Sequence, residues 1–176
     1  MKSVLMAVHP EFCFLIVSGE KTIELRKTRP KIETPFKVYV YCTLPKKSGD
    51  AFLVGETPRC ANGKVIGEFI CDSIEIIKKT DYHPNYYFTR LGTCLEPSEM
   101  WEYGKGKQLY AWHISDLVIY DKPKELSEFR KSGALSYDDW LYSMYNGTSE
   151  SSYEKYLFPF TLTRPPQSWC YVETEN

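Results

Sequence analysis

The chain has 176 residues, 43% hydrophobic and 26% charged, with a formal net charge of −1. That length supports the buried core of one globular domain, and the near-zero charge excludes a protein that holds long DNA mainly by neutralising phosphates. No window approaches the roughly eighteen consecutive apolar residues of a membrane helix, and the opening "MKSVLMAVHPEF" is interrupted by His9, Pro10 and Glu11; an untargeted cytoplasmic protein with no membrane contact is expected.

In chain order, "SVLMAV" reads as a short buried strand ended by His9 and Pro10. Pro10 suits the first position of a helix that runs through "PEFCFLIVSG" to Gly19, a glycine placed where a helix stops. From Thr22 the residues alternate. Ile23 and Leu25 take one face of a half-buried strand, and Glu24 and Arg26 take the other. Strict alternation puts Lys21 on the Ile23 side, so it joins Glu24 and Arg26 only if the turn after Gly19 redirects it. "FKVYVYCTL" and "KVIGEFICDSIEII" read as strands, the second kinked near Gly67. Between them, "PKKSGDAFLVGETPRCANG" reads as a hairpin extension or a mobile loop. "EPSEMWEYG" fits a short helix with Ser98 as N-cap and Gly104 as its stop. "QLYAWHISDLVIYDKP" returns to strand, with a turn or bulge around Ser115 and Asp116. "KELSEFRKSG" and "SYDDWLYSMYNG" read as helical pieces, "TSESSYEKY" as a polar linker, and "FTLTRPPQSWCYVE" as a Pro-Pro turn and a last strand. The sum is an α+β domain or small closed barrel of about six strands with short helices.

The six cysteines (Cys13, Cys42, Cys60, Cys71, Cys94 and Cys170) are scattered, and none forms a two-residue-spaced pair. They read as free thiols of a reducing compartment. His9, His83 and His113 are equally dispersed, so no metal and no cofactor is expected. Charge is uneven along the chain. Lys21, Arg26, Lys27, Arg29 and Lys31 surround a single acid, Glu24, whereas "EPSEMWE" and "VETEN" are acidic. Such a patch attracts a small anionic or nucleotide-sized ligand to one face.

Taken alone, Lys21, Glu24 and Arg26 have two readings. One is a solvated strand edge with a pair worth about 1 kcal/mol or less. The other is a site in which the cations bind an anionic or carbonyl oxygen and Glu24 accepts a donor or moves a proton. Gly19 serves as a helix stop in either case, or also lets the backbone approach a ligand. In "TRPPQSWCY", Arg164, Gln167 and Trp169 offer phosphate contact, amide hydrogen bonds and a stacking surface, or else a Pro-rich turn with Trp169 in the core. Ser168 and His113 lack the Gly-x-Ser-x-Gly elbow of a serine nucleophile. Cys42 and Cys170 sit in apolar strands and read as inert thiols. Asn146-Gly147-Thr148 matches a glycosylation sequon that has no use in the cytoplasm.

"GEKTIELR" matches the Gly-x-Lys-x-x-Glu-x-Arg motif of the ASCH (activating signal cointegrator homology) domains of the PUA-like superfamily. The order of "KVYVYCT", "GKVIGEF", "YAWHISD", "YDKP" and "RPPQSWCYV" resembles them too. The resemblance spans nearly the whole chain, residues 1–176 as one domain with insertions at 45–63 and 130–156. It implies a PUA-like β-barrel with a cleft lined by the motif that binds RNA, nucleotides or modified nucleosides. Gly19, Lys21, Glu24 and Arg26 would bind, with Arg164, Gln167 and Trp169 beside them and Tyr41 or Trp169 stacking. One ASCH branch is similar to amidohydrolases acting on N4-acetylcytidine through a lysine, a threonine and a glutamate. Lys21 matches that lysine, Glu24 stands where the threonine would be, and Glu96 and Glu99 are the candidates for the other acid. Other relatives resemble ribonucleases. The alternative to a binding module is therefore a small hydrolase using Lys21 and Glu24, and a third reading is an adaptor that uses Tyr137 to Tyr145.

Overall fold

A computed structural model of the protein describes residues 2–45, 53–54, 59–78, 92–132 and 161–173. Its strands are β1 (Ser3–Val8), β2 (Ile23–Arg26), β3 (Phe36–Cys42), β4 (Leu53–Val54), β5 (Arg59–Cys60), β6 (Lys64–Ile77), β7 (Leu109–Lys124), β8 (Arg130–Lys131) and β9 (Trp169–Glu173), with helices α1 (Pro10–Val17) and α2 (Pro97–Gly104). Seven of the strands form one mixed sheet in the order β2-β7-β6-β3-β1-β9-β8, and β4 pairs with β5 in a separate ribbon.

The uninterrupted apolar run "SVLMAV" is explained by its place inside the sheet, where β1 pairs in parallel with β3 and antiparallel with β9 and is buried at every position. Because side chains alternate along a strand, its residues supply two cores. Val4, Met6 and Val8 pack with Val38, Val40, Phe69 and Trp112, while Leu5 and Ala7 pack with Tyr39, Tyr41 and Phe129. A third cluster joins Ile23 and Leu25 of β2 to Leu109 and Ala111 of β7 and to Met100 of α2.

The architecture is α+β, but two expectations need correction. The main sheet has seven strands rather than six, and it does not close: β2 and β8 end the pairing order as opposite edges. The extra strand arises within "KELSEFRKSG", where a single 3-10 turn, Leu126–Glu128, gives way to β8. The long β6 and β7 bend at bulges, as expected for strands with register shifts. One shift falls where Gly67 meets β7: a Cβ there would run into the Val118 carbonyl oxygen. Another surrounds Asp116, at φ 46°. Helix α2 begins after Glu96 rather than Ser98, since Pro97 occupies the first turn and the Glu99 carboxylate accepts the Glu96 N–H at 2.7 Å. It ends on a left-handed Lys105, at φ 51°, rather than at Gly104. The helical reading of "SYDDWLYSMYNG", the linker and most of the 130–156 insertion lie outside the described residues. No helix among the described residues is long and apolar enough to cross a membrane.

Candidate functional site

The carboxyl ends of the parallel pair β1 and β3 open onto a cleft of about 870 Å³, with His9 and Thr43 at its edge. This is the end of a parallel pair at which ligands commonly sit. The Thr43 hydroxyl is 3.3 Å from His9 Nδ1. Helix α1 starts at Pro10, carries Phe12 into the cleft wall, and is stopped by Gly19 at φ 77°. After that reversal the Lys21 N–H donates to the Leu15 carbonyl at 2.8 Å, and the Thr22 N–H donates to Gly92 at 2.9 Å. The turn thereby redirects Lys21 out of strict alternation and onto the side of Glu24 and Arg26.

All four residues of β2 are buried, against the expectation of a half-buried strand. Ile23 and Leu25 face the third cluster, while Glu24 and Arg26 line the cleft with Lys21. The three charged residues are 2%, 6% and 7% exposed for Lys21, Glu24 and Arg26. Glu24 stands between the cations, with Oε1 3.2 Å from Arg26 Nη2 and Oε2 3.4 Å from Lys21 Nζ. Each cation is anchored by backbone: Lys21 Nζ donates to the Thr93 carbonyl at 2.6 Å, and Arg26 Nη2 donates to the Ala7 carbonyl at 2.6 Å. Arg26 Nη1 also reaches Ser168 Oγ at 3.4 Å, and the Ser168 carbonyl accepts the Ala7 N–H at 2.9 Å. Among the described residues, Glu24 Oε2 and Arg26 Nε make no hydrogen bond.

Lys27, Thr28, Glu99, Glu102, Tyr103 and Gln167 complete the lining together with apolar residues. Lys27 Nζ lies 4.6 Å from the Tyr103 ring. Burial pushes the Tyr103 phenol above its ordinary pKa, against the opposing pull of Arg26.

Of the residues expected at the site, Lys21, Glu24, Arg26 and Gln167 come together in the cleft, and Glu99 lies on its lining. Gly19, Arg164, Trp169, Tyr41 and Glu96 are not among the lining residues. Gly19 makes the turn, and a Cβ added to it would meet nothing within 4 Å. Arg164 is exposed. Trp169 packs between Trp112 and Tyr171, with ring centroids 5.9 and 5.4 Å away, and donates from Nε1 to Thr28 Oγ1 at 3.0 Å. Tyr41 belongs to the second core cluster, and Glu96 caps α2. Ser168 and His113 have separate partners, since His113 faces Glu75 on β6 at 3.4 Å. Burial pushes the Cys13 and Cys170 thiols upward, away from thiolate character, whereas the hydrogen bond with Cys13 holds the Cys42 thiol below its ordinary pKa, against the expectation of an inert thiol there. No group of three potential metal ligands occurs among the described residues.

Sequence reasoning missed Thr93, His9, Thr43 and Tyr103. Gly92 was the available signal for the first, because a Cβ there would stand 2.6 Å from Thr22 Oγ1 and 2.8 Å from Ile23 Cγ1.

The fold is of the ASCH type, as its likeness to solved structures shows. The crystal structure of the ASCH protein from Zymomonas mobilis superimposes with a TM-score of 0.58 at 19% identity, covering 97% of this chain and 87% of that one. A tyrosine-to-phenylalanine variant of that protein gives 0.55 at 19% identity over 98% and 91% of the two chains. A serine-to-alanine variant gives 0.56 at 20% identity over 97% and 88%. No family model and no curated protein matches the chain.

Proposed function

We propose that the cleft binds RNA, a nucleotide or a modified nucleoside. The observation that carries this reading is the burial of Lys21, Glu24 and Arg26 in the lining of an open cleft. Three buried charges are a poor device for stability, since well-packed apolar residues of the same volume often serve as well or better. Placed under a ligand-sized cavity, they are the arrangement expected of a polar recognition site. The cleft volume of about 870 Å³ lies within the range of small-molecule and nucleotide pockets. Lys21 and Arg26 supply donors, Glu24 accepts from polar base or ribose edges, and Gln167 adds an amide at the rim. Trp169 acts by holding Thr28, and Gly19 by setting the turn before Lys21. The setting is a cytoplasmic one, in keeping with the free thiols of Cys13, Cys42, Cys71, Cys94 and Cys170. Titration with nucleosides, nucleotides and short RNAs tests the reading. Binding is expected to weaken at least tenfold in Lys21→Met and Arg26→Met proteins that retain the native circular dichroism spectrum. Absence of binding, or binding that both variants leave intact, would overturn it.

One observation favours a second reading as a hydrolase: Lys21 Nζ and Glu24 Oε2 approach to 3.4 Å inside the cleft. In that reading the neutral form of the Lys21 amine takes a proton from an attacking water or ribose hydroxyl, and Glu24 passes that proton to the amine or ribose oxygen that departs. Release of cytidine from N4-acetylcytidine and cleavage of labelled RNA are the assays. Rates equal to those of a Lys21→Met preparation would remove this reading.

A further inference from the structure

Behind the cleft lie three polar atoms that are buried and unpaired. Trp112 is fully buried on β7, and its indole Nε1 has no hydrogen-bond partner among the described residues. Glu24 Oε2 and Arg26 Nε share that condition, on residues at most 7% exposed. The three belong to one neighbourhood. Antiparallel pairing sets Trp112 directly opposite Glu24, so the two side chains leave the same face of the sheet with Cβ atoms about 4.5–5.5 Å apart. Arg26, two residues further along β2, shares that face, and its Nη2 lies 3.2 Å from Glu24 Oε1. The Trp112 ring packs against Phe36 and Trp169, with centroids 5.5 and 5.9 Å away, and the Trp169 indole reaches Thr28 in the cleft lining. Trp112 therefore stands between the first core cluster and the back of the cleft.

The chemistry of these atoms narrows what can join them. Arg26 Nε–H and Trp112 Nε1–H are donors, whereas Glu24 Oε2 is an acceptor. An anion would accept from both donors but would meet the carboxylate with like charge. A cation would suit the carboxylate but has no lone pair for the donors. A small neutral molecule with both lone pairs and protons satisfies all three. Water is that molecule: buried waters make about three hydrogen bonds to groups the chain leaves unsatisfied, and immobilising one costs less than leaving such groups unpaired. We propose that an ordered water bridges Trp112, Glu24 and Arg26, accepting from Trp112 Nε1 and Arg26 Nε and donating to Glu24 Oε2. It orients the carboxylate from the core side, while Lys21 and Arg26 hold it from the cleft side. The site is independent of what the cleft binds.

The test reads the four tryptophan indole N–H signals of the full chain, labelled with nitrogen-15. The signal lost in Trp112→Phe identifies Trp112. It is expected to show a cross-peak to water that has opposite signs in NOESY and ROESY spectra, the mark of a water held far longer than surface hydration. That peak is expected to survive in Lys21→Met, which lacks the ammonium protons that could relay magnetisation from solvent. An indole with no water cross-peak, or a peak that vanishes in a folded Lys21→Met protein, overturns the proposal. A crystal structure of the unsubstituted chain decides without either variant. A water oxygen within about 3.2 Å of both Trp112 Nε1 and Glu24 Oε2 is expected there. Density that shows no ordered water between them, or that pairs both atoms with protein groups, refutes it.

Discussion

Replacing Glu24 with glutamine tests whether the charged cluster is a desolvated unit or a set of surface charges. The carboxylate lies 3.2 Å from Arg26 and 3.4 Å from Lys21, and all three residues are at most 7% exposed. At an effective dielectric constant of about 20, each contact amounts to about 5 kcal/mol of Coulomb attraction before desolvation is subtracted. Glutamine keeps the shape but places two buried cations against a neutral amide, one end of which is itself a donor. Removing one partner of a buried ionic group destabilises by about 3–5 kcal/mol. With a urea slope of about 2 kcal/mol per molar, the unfolding midpoint is expected to fall by roughly 1.5–2.5 M, followed by tryptophan fluorescence. A fall below about 0.5 M, the scale of an exposed pair, would refute the claim that the cluster is held out of water.

Phe69→Ala empties a fully buried position in the first core and is expected to cost about 3–5 kcal/mol in the same assay. Gly67→Ala drives a methyl group into the Val118 backbone oxygen. Neighbouring strands must separate to admit it, so a loss of about 1–3 kcal/mol is expected by chemical denaturation. Lys37 and Glu68 lie 2.6 Å apart, with the Tyr120 hydroxyl donating to the same carboxylate. Burial works to raise the Glu68 pKa, but the Lys37 and Tyr120 hydrogen bonds outweigh it and hold the value below 4.5. The same hydrogen bond raises Lys37 above 10.5. Stability from Glu68 is therefore present above 4.5 and lost as pH falls through its folded value, while that from Lys37 is present below 10.5 and lost as pH rises through its own. Because Lys37 is 38% exposed, the difference between wild type and Lys37→Met is expected to stay under about 1 kcal/mol at neutral pH. It should shrink below 4.5, as read by urea unfolding across a pH series.

Local pattern is enough to find β1, β3, β6 and β7, because each carries an apolar or alternating run long enough to declare its period. It is also enough to put Glu24 and Arg26 on one face of β2. Two kinds of feature escape it. β8 is two residues long and takes its strand character from pairing with β9, which no local propensity records. The position of Lys21 depends on a carbonyl 72 residues away, that of Thr93. Trp169 has an apolar body and a polar tip, so its sequence context suits a stacking surface and a core position equally. Its partners Trp112 and Tyr171 decide the matter, leaving the ring to the core and only the indole N–H to the cleft edge. A strand count likewise does not reveal whether a barrel closes, because closure depends on how the two edges pair.

Arg26 is tied to Ala7 at the end of β1 and to Ser168 just before β9, and Lys21 is tied to Thr93. The charged cluster in the cleft is thus spliced from four stretches of chain that meet only when the first and last strands are in place. A partly folded molecule has no such cluster, so any true ligand reports on complete folding and stabilises the whole protein. At a concentration 100 times its dissociation constant, that ligand adds about 2.7 kcal/mol, enough to be found by thermal shift alone, whatever its chemistry.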